Sequence, residues 1–168
     1  MATTYTLISS VTVGSGGAAD IEFTSIPTTY TDLLLRFSPR SANSTYGGFN
    51  LYMNTNTNRF EGIFLSVDGS SGSSGGPNSE FFLPLSTWTS STFGNVDLYF
   101  PNYQSSTTKT LLAEGAAEAN TTDVKRYVSF FAYSLADNNA INKLKLSMFG
   151  GDKFAQYTTA YLYGISNA

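Results

Sequence analysis

The stretch "FTSIPTTYTDLLLRFSPRS", residues 23–41, decides the fold. A proline-interrupted Thr/Tyr segment leads into Leu33, Leu35 and Phe37, which alternate with Asp32, Leu34, Arg36 and Ser38. Alternation of period two is the pattern of a β-strand, whose successive side chains point to opposite faces. Leu33, Leu35 and Phe37 then belong to a core, and Arg36 belongs to the solvent or partner side.

The same period recurs on both sides of this stretch. Tyr5, Leu7, Val11 and Val13 share one parity, with Thr6, Ser10 and Thr12 on the other; "GSGG" (14–17) then turns into Ala19, Ile21 and Phe23. That pattern predicts a hairpin. Further strands are predicted at 48–54, 59–67, 80–88, 95–100, 108–118, 124–135, 141–149 and 155–165. "LLAEGAAEA" (111–119) suits a helix by propensity, but its length and Gly115 oppose one. About 8–10 short strands without sustained helical periodicity predict an all-β, two-sheet antiparallel β-sandwich of jelly-roll type. The low-complexity stretch "DGSSGSSGGPN" (68–78) is expected as a surface loop inside one domain, residues 1–168, because strand patterning continues on either side of it.

Composition narrows the chemistry. The 168 residues include no cysteine and no histidine, so disulfides, thiolate metal sites, a Ser-His-Asp triad and a Cys-His dyad are all impossible. Net charge is -3 and only 12% of residues are charged, with Lys125-Arg126 and Lys143/Lys145 as the only close basic pairs. Nucleic-acid binding draws on a clustered basic face, so no nucleic-acid partner is expected. The longest apolar runs are a few residues, far short of the roughly 20 that a membrane-crossing helix needs, and no membrane partner is expected. The start "MATTYTLISS" lacks the charged and apolar regions of a signal peptide, which predicts synthesis in a cytosol and use as made.

Carboxylates are the remaining catalytic option, as in glycosidases with two acids roughly 5–10 Å apart. Asp20 with Glu22, Glu114 with Glu118, and Asp97 occupy outward strand positions, which alternation already explains as a solvated acidic face. No enzymatic activity is expected. Calcium through Asp68, Asp123, Asp137 or Asp152 would need oxygen-rich loops, but none has the acidic spacing of an EF-hand, and no cofactor is expected. "GSGG" and "GSSGSSGG" lack the helix start and Lys-Ser/Thr of a phosphate loop. The triplets at Asn43 and Asn120 would accept glycans only in a secretory chain.

Aromatic residues make up 15% of the chain, with 13 Phe and 11 Tyr, and they are the better lead. "STYGGFNLY", "LSTWTS", "YFPNY" and "YTTAYLYG" hold more rings than alternation can turn inward. Such rings either cover the ends of the core or anchor a protein or sugar partner. Tyr46, Trp88 and Tyr103 are the candidate loop anchors. Arg36 is the candidate for pairing with a carboxylate across a subunit boundary.

Three stretches carry a family resemblance: "TYTLISSVTVGSGGAADIEFTSIPTTYTDLLLRFSPRS" (4–41), "VDLYFPNYQSSTTKTLLAEGAAEAN" (96–120) and "KLKLSMFGGDKFAQYTTAYLYGISNA" (143–168). Together they resemble small jelly-roll virion proteins of marine and cyanobacterial tailed bacteriophages. Their shared pattern is a Tyr-x-Leu-Ile strand, a Phe-x-x-Ile-Pro-x-x-Tyr-x-Asp-Leu segment, a Pro-Asn-Tyr turn and a closing Tyr-Leu-Tyr-Gly-Ile strand. Segment 54–80 matches least. The resemblance implies a capsid decoration (cement) protein, or a domain of a tail fibre or spike that binds host glycan. With no collagen-like or coiled-coil stalk in the sequence, the expectation is decoration. The chain would sit on the outer capsid surface, with the major capsid protein as partner and a homotrimer as the assembled form.

Overall fold

The computed structural model describes residues 4–45, 47–55, 60–67, 71–75, 81–118 and 127–166. In chain order the strands are β1 (Tyr5–Thr12), β2 (Asp20–Phe23), β3 (Asp32–Ser38), β4 (Gly48–Met53), β5 (Phe60–Val67) and β6 (Gly72–Gly75). They continue with β7 (Phe81–Phe82), β8 (Asn95–Phe100), β9 (Lys109–Ala117), β10 (Tyr127–Leu135), β11 (Leu144–Met148) and β12 (Thr159–Ile165). One 3-10 turn, Phe149–Gly151, is the only helical element among the described residues.

Two antiparallel sheets form a sandwich. The wide one runs β1-β12-β3-β8-β9-β10-β5-β6, and the narrow one runs β2-β11-β4-β7. The first four strands alternate between the sheets, and the last two return to lie between them: β12 between β1 and β3, β11 between β2 and β4. This nesting is jelly-roll-like, as expected from the run of short strands, and the short β6 and β7 bring the strands among the described residues to twelve.

Local chemistry corrects several expectations. β1 and β2 do not form a hairpin, because the "GSGG" turn carries the chain from one sheet to the other. That turn needs glycine at 17: φ is +66° and a Cβ would lie 2.8 Å from the Phe154 carbonyl oxygen. β1 also slips register between Leu7 and Ser9. A bulge of this kind swaps faces, so Tyr5 and Leu7 point outward while Val13 is buried, although all three share one parity. Within the predicted loop 68–78, residues 72–75 form β6 against β5; 68–70 and 76–78 lie outside the described residues. Of the predicted strand 80–88, only Phe81–Phe82 pairs among the described residues, and position 80 lies outside them. "LLAEGAAEA" is extended through Ala117, as part of β9.

The core between the sheets is one cluster among the described residues. Leu33, Leu35, Leu98 and Leu162 from the wide sheet are fully buried, as are Phe49, Leu51 and Leu146 from the narrow one. Phe37 meets Phe49 edge-on across the sandwich, with ring centroids 5.2 Å apart. Phe81 meets Phe131 at 4.5 Å, which seats the narrow sheet on the outlying strand β10. Aromatic pairs in such geometry contribute about 0.5–1.5 kcal/mol beyond area burial. Gly164, next to last in β12, admits the Tyr30 ring, which a Cβ would meet at 2.2 Å.

Candidate interaction surface

The two outward faces of the sandwich differ in kind. On the narrow sheet, Glu22 pairs with Lys143 at 3.0 Å and Asp20 with Lys145 at 4.0 Å, and the Lys145 ammonium stands 4.7 Å from the centre of the Tyr52 ring. This is the solvated face that strand alternation predicts.

The wide sheet departs from it. Cross-strand register places Tyr163, Leu34, Tyr99, Leu112 and Ala132 side by side on five consecutive strands. Leu7 extends this row at one end and Ile63 at the other. The next outward row reads Tyr161, Arg36, Asp97, Glu114, Phe130 and Leu65. Of the ten exposed large apolar side chains among the described residues, nine lie on this face; the tenth is Tyr157, in a turn. Ile63 is 59% exposed, Val128 58% and Leu112 46%. A contiguous apolar surface of this extent marks an interaction site.

A polar strip crosses the middle of it. Arg36 Nε donates to Asp97 Oδ2 at 3.2 Å, so Arg36 takes its carboxylate from the neighbouring strand of its own chain. The Arg36 side chain remains 62% exposed. Asp97 Oδ1 is buried with no hydrogen-bond partner among the described residues. Glu114 stands directly across from Asp97, a like-charged pair that destabilises a sheet unless a cation covers it. At one end of the face Asp32 is buried and accepts from the Tyr99 hydroxyl at 2.8 Å and the Asn102 N–H at 2.8 Å. Burial first, and then this bond to Asp32, push the Tyr99 hydroxyl up to about 12.

The loop anchors read from sequence fare differently. Tyr103 is a correction: it is fully buried, its hydroxyl donates to the Pro27 carbonyl, and its own carbonyl accepts from the Ile141 N–H at 2.9 Å. Burial raises its hydroxyl above the ordinary range. It ties turn 101–107 to the segment before β3, and its burial leaves it no exposed surface with which to anchor a partner. Trp88 lies half-buried in turn 86–91, as placed from the sequence. Tyr46 lies outside the described residues.

The Trp88 turn is held by Arg40, a residue the sequence reading passed over. Its guanidinium donates to the carbonyls of Ser86 (3.1 Å), Trp88 (3.1 Å), Thr89 (2.8 Å) and Thr92 (2.5 Å). Its backbone N–H donates to Thr158 Oγ1 at 3.1 Å, so one residue ties the turn to the entry of β12. Burial lowers its pKa from the usual arginine value. Lys109 plays a similar part, its ammonium donating to the carbonyls of Ser105 (2.5 Å) and Thr107 (2.7 Å), and burial lowers its pKa as well.

Of the acids weighed for calcium, the two among the described residues are engaged in turns. Asp137 accepts from Asn54 Nδ2 at 3.1 Å and from the Asn139 N–H at 2.9 Å, and Asp152 accepts from Ser41 Oγ at 3.0 Å. Asp68 and Asp123 lie outside the described residues, and among those described no three His, Cys, Asp or Glu side chains cluster as metal ligands would. Comparison with protein-family models, with curated proteins and with solved structures gives no match.

Sequence reasoning missed the apolar face because it assigned outward positions to solvent. The signal was present as runs of adjacent apolar residues: "LLL" (33–35), "LL" (111–112), "FF" (130–131) and "IFL" (63–65). Each puts an apolar side chain on both faces of a strand, the pattern of a sheet covered on both sides.

Proposed function

We propose that this chain is a structural protein of a bacteriophage particle that works by protein–protein contact, as a capsid decoration protein on the outer shell. The apolar outer face of the wide sheet carries the reading, because it supplies a broad contact surface on a rigid scaffold. The resemblance of stretches 4–41, 96–120 and 143–168 to phage virion proteins supplies the setting. Small proteins that clamp neighbouring shell subunits gain from multivalency, since each further contact forms at high effective concentration. The Trp88 turn, stiffened by Arg40, is the part of the sandwich end suited to meet the major capsid protein.

A second reading is host-glycan binding at a fibre tip. It is favoured by one observation: Tyr5, Tyr99 and Phe130 line the same shallow groove as Arg36, Asp97 and Glu114. Aromatic faces beside hydrogen-bonding charges suit a sugar. The copy number of the chain in purified virions, measured against the major capsid protein by quantitative mass spectrometry, separates the two. Copies in simple ratio to the shell subunit support decoration. A few per particle favour the fibre reading, and absence from the particle overturns both.

A further inference from the structure

We propose that the outer face of the wide sheet is covered by a second copy of this chain, related by a two-fold axis that runs along β8. The inference rests on that face being a protein contact, not on where the protein resides.

The support is the order of residues about β8. In the polar row, Arg36 lies one strand to one side of Asp97 and Glu114 one strand to the other. A two-fold axis along β8 exchanges these columns and keeps the rows, so Arg36 of each copy comes to lie over Glu114 of the other. The contact is isologous, and the ion pair forms twice. The apolar residues obey the same exchange, while Tyr99 and Asp97, on β8 itself, each come to face their own counterpart, with the Asp97 pair flanked by the Arg36 of both copies. Leu34 is carried onto Leu112, Tyr161 onto Phe130, and the large Tyr163 onto the small Ala132. Sheets packed face to face keep their strands within about 30° of one another, which this axis allows.

Three features of the single chain fit such a cover. Arg36 uses only Nε toward Asp97, which leaves its terminal nitrogens for a carboxylate above the sheet. Glu114 has no ion-pair partner among the described residues, although it stands opposite Asp97. An arginine arriving from above offsets that like-charge contact. Strand spacing and rise give the apolar face a footprint of roughly 30 by 20 Å, so about 1,200 Å² over two copies. That is within the range of specific, stable interfaces.

Sedimentation equilibrium of the purified chain tests the proposal. The wild type is expected to form even-numbered assemblies, dimers or paired trimers. Arg36→Glu and Glu114→Arg, each alone, set like charges against each other twice and are expected to weaken association by roughly tenfold or more. The double variant swaps the charges on both copies and is expected to restore association. Leu112→Lys, at an exposed position, is expected to give monomers with an unchanged circular dichroism spectrum. A wild type that stays monomeric at about 100 µM, an odd-numbered assembly, or singles that weaken without rescue in the double variant overturns the two-fold contact. Copy number in virions is a separate measurement, so failure here leaves the placement on the particle standing or falling by itself.

Discussion

Replacing Arg40 with methionine isolates what holds the Trp88 turn. The guanidinium donates to four carbonyls of residues 86–92 at 2.5–3.1 Å, and no carboxylate among the described residues forms an ion pair with it. A hydrogen bond to a charged group contributes about 1.5–3 kcal/mol. Full addition is not expected, because the turn is partly exposed and water replaces some of the lost donors. Release of the buried cation from its desolvation penalty offsets more. A net loss of about 3 kcal/mol follows, which for a chain of this size lowers Tm by roughly 6–12 °C. Arg40→Lys keeps the charge but offers three donors in place of a planar fork, so it should fall about midway. The chain has one tryptophan, and it sits in this turn, so its fluorescence reports the turn directly while far-ultraviolet circular dichroism reports the sheets. In Arg40→Met the fluorescence transition should precede the dichroism transition; in the wild type the two should coincide. A Tm within about 2 °C of wild type, with coincident transitions, would refute the assignment of Arg40 as the clamp.

Two further outcomes are expected. The Tyr99 hydroxyl is held at about 12, above the ordinary value near 10, so the folded state keeps this proton after the unfolded state has lost it. Its contribution is therefore complete below pH 10 and declines as pH rises through 10 to 12. Urea titrations at successive pH values should show Tyr99→Phe removing that part of the decline, and identical slopes for the two proteins would count against it. Tyr103→Ala should destabilise by about 3–5 kcal/mol as a core deletion, and Tyr103→Phe by about 1 kcal/mol for the lost bond to Pro27. A surface role would instead leave Tm unchanged in both.

The parts of the fold legible in the sequence were those set by local rules. Leu33, Leu35 and Phe37 alternate with Asp32 and Arg36, and all three apolar residues are buried. What alternation could not supply is which strand lies beside which. Tyr5 and Leu7 looked like core residues, yet a one-residue slip in β1 turned them outward. Asp97 and Glu114 are 17 positions apart and gave no sign of standing opposite each other. Tyr103 follows "FPN" and reads as a loop-tip aromatic, but its ring fills the end of the core and its hydroxyl satisfies a carbonyl there. Arg40 was unremarkable in sequence because the four carbonyls it gathers come from backbone, which carries no residue identity.

The asymmetry between the sheets bears on what the fold elaboration is for. A minimal jelly roll needs four strands in each sheet, and β1, β12, β3 and β8 already match the four narrow strands. Strands β9, β10, β5 and β6 extend the wide sheet beyond that requirement, and they carry six of the nine outward apolar side chains: Leu112, Val128, Phe130, Ile63, Leu65 and Val67. If the extension served only to enlarge the core, its outward positions would resemble the charged face of the narrow sheet. They do not. A broad apolar face also endangers a β protein if its edges invite further strands. Here the extended edge ends in the four-residue strand "GSSG", too short and too small-featured to template a long pairing. The association proposed above would thereby be directed away from this edge and onto the face, where register fixes the order of leucines, rings and charges.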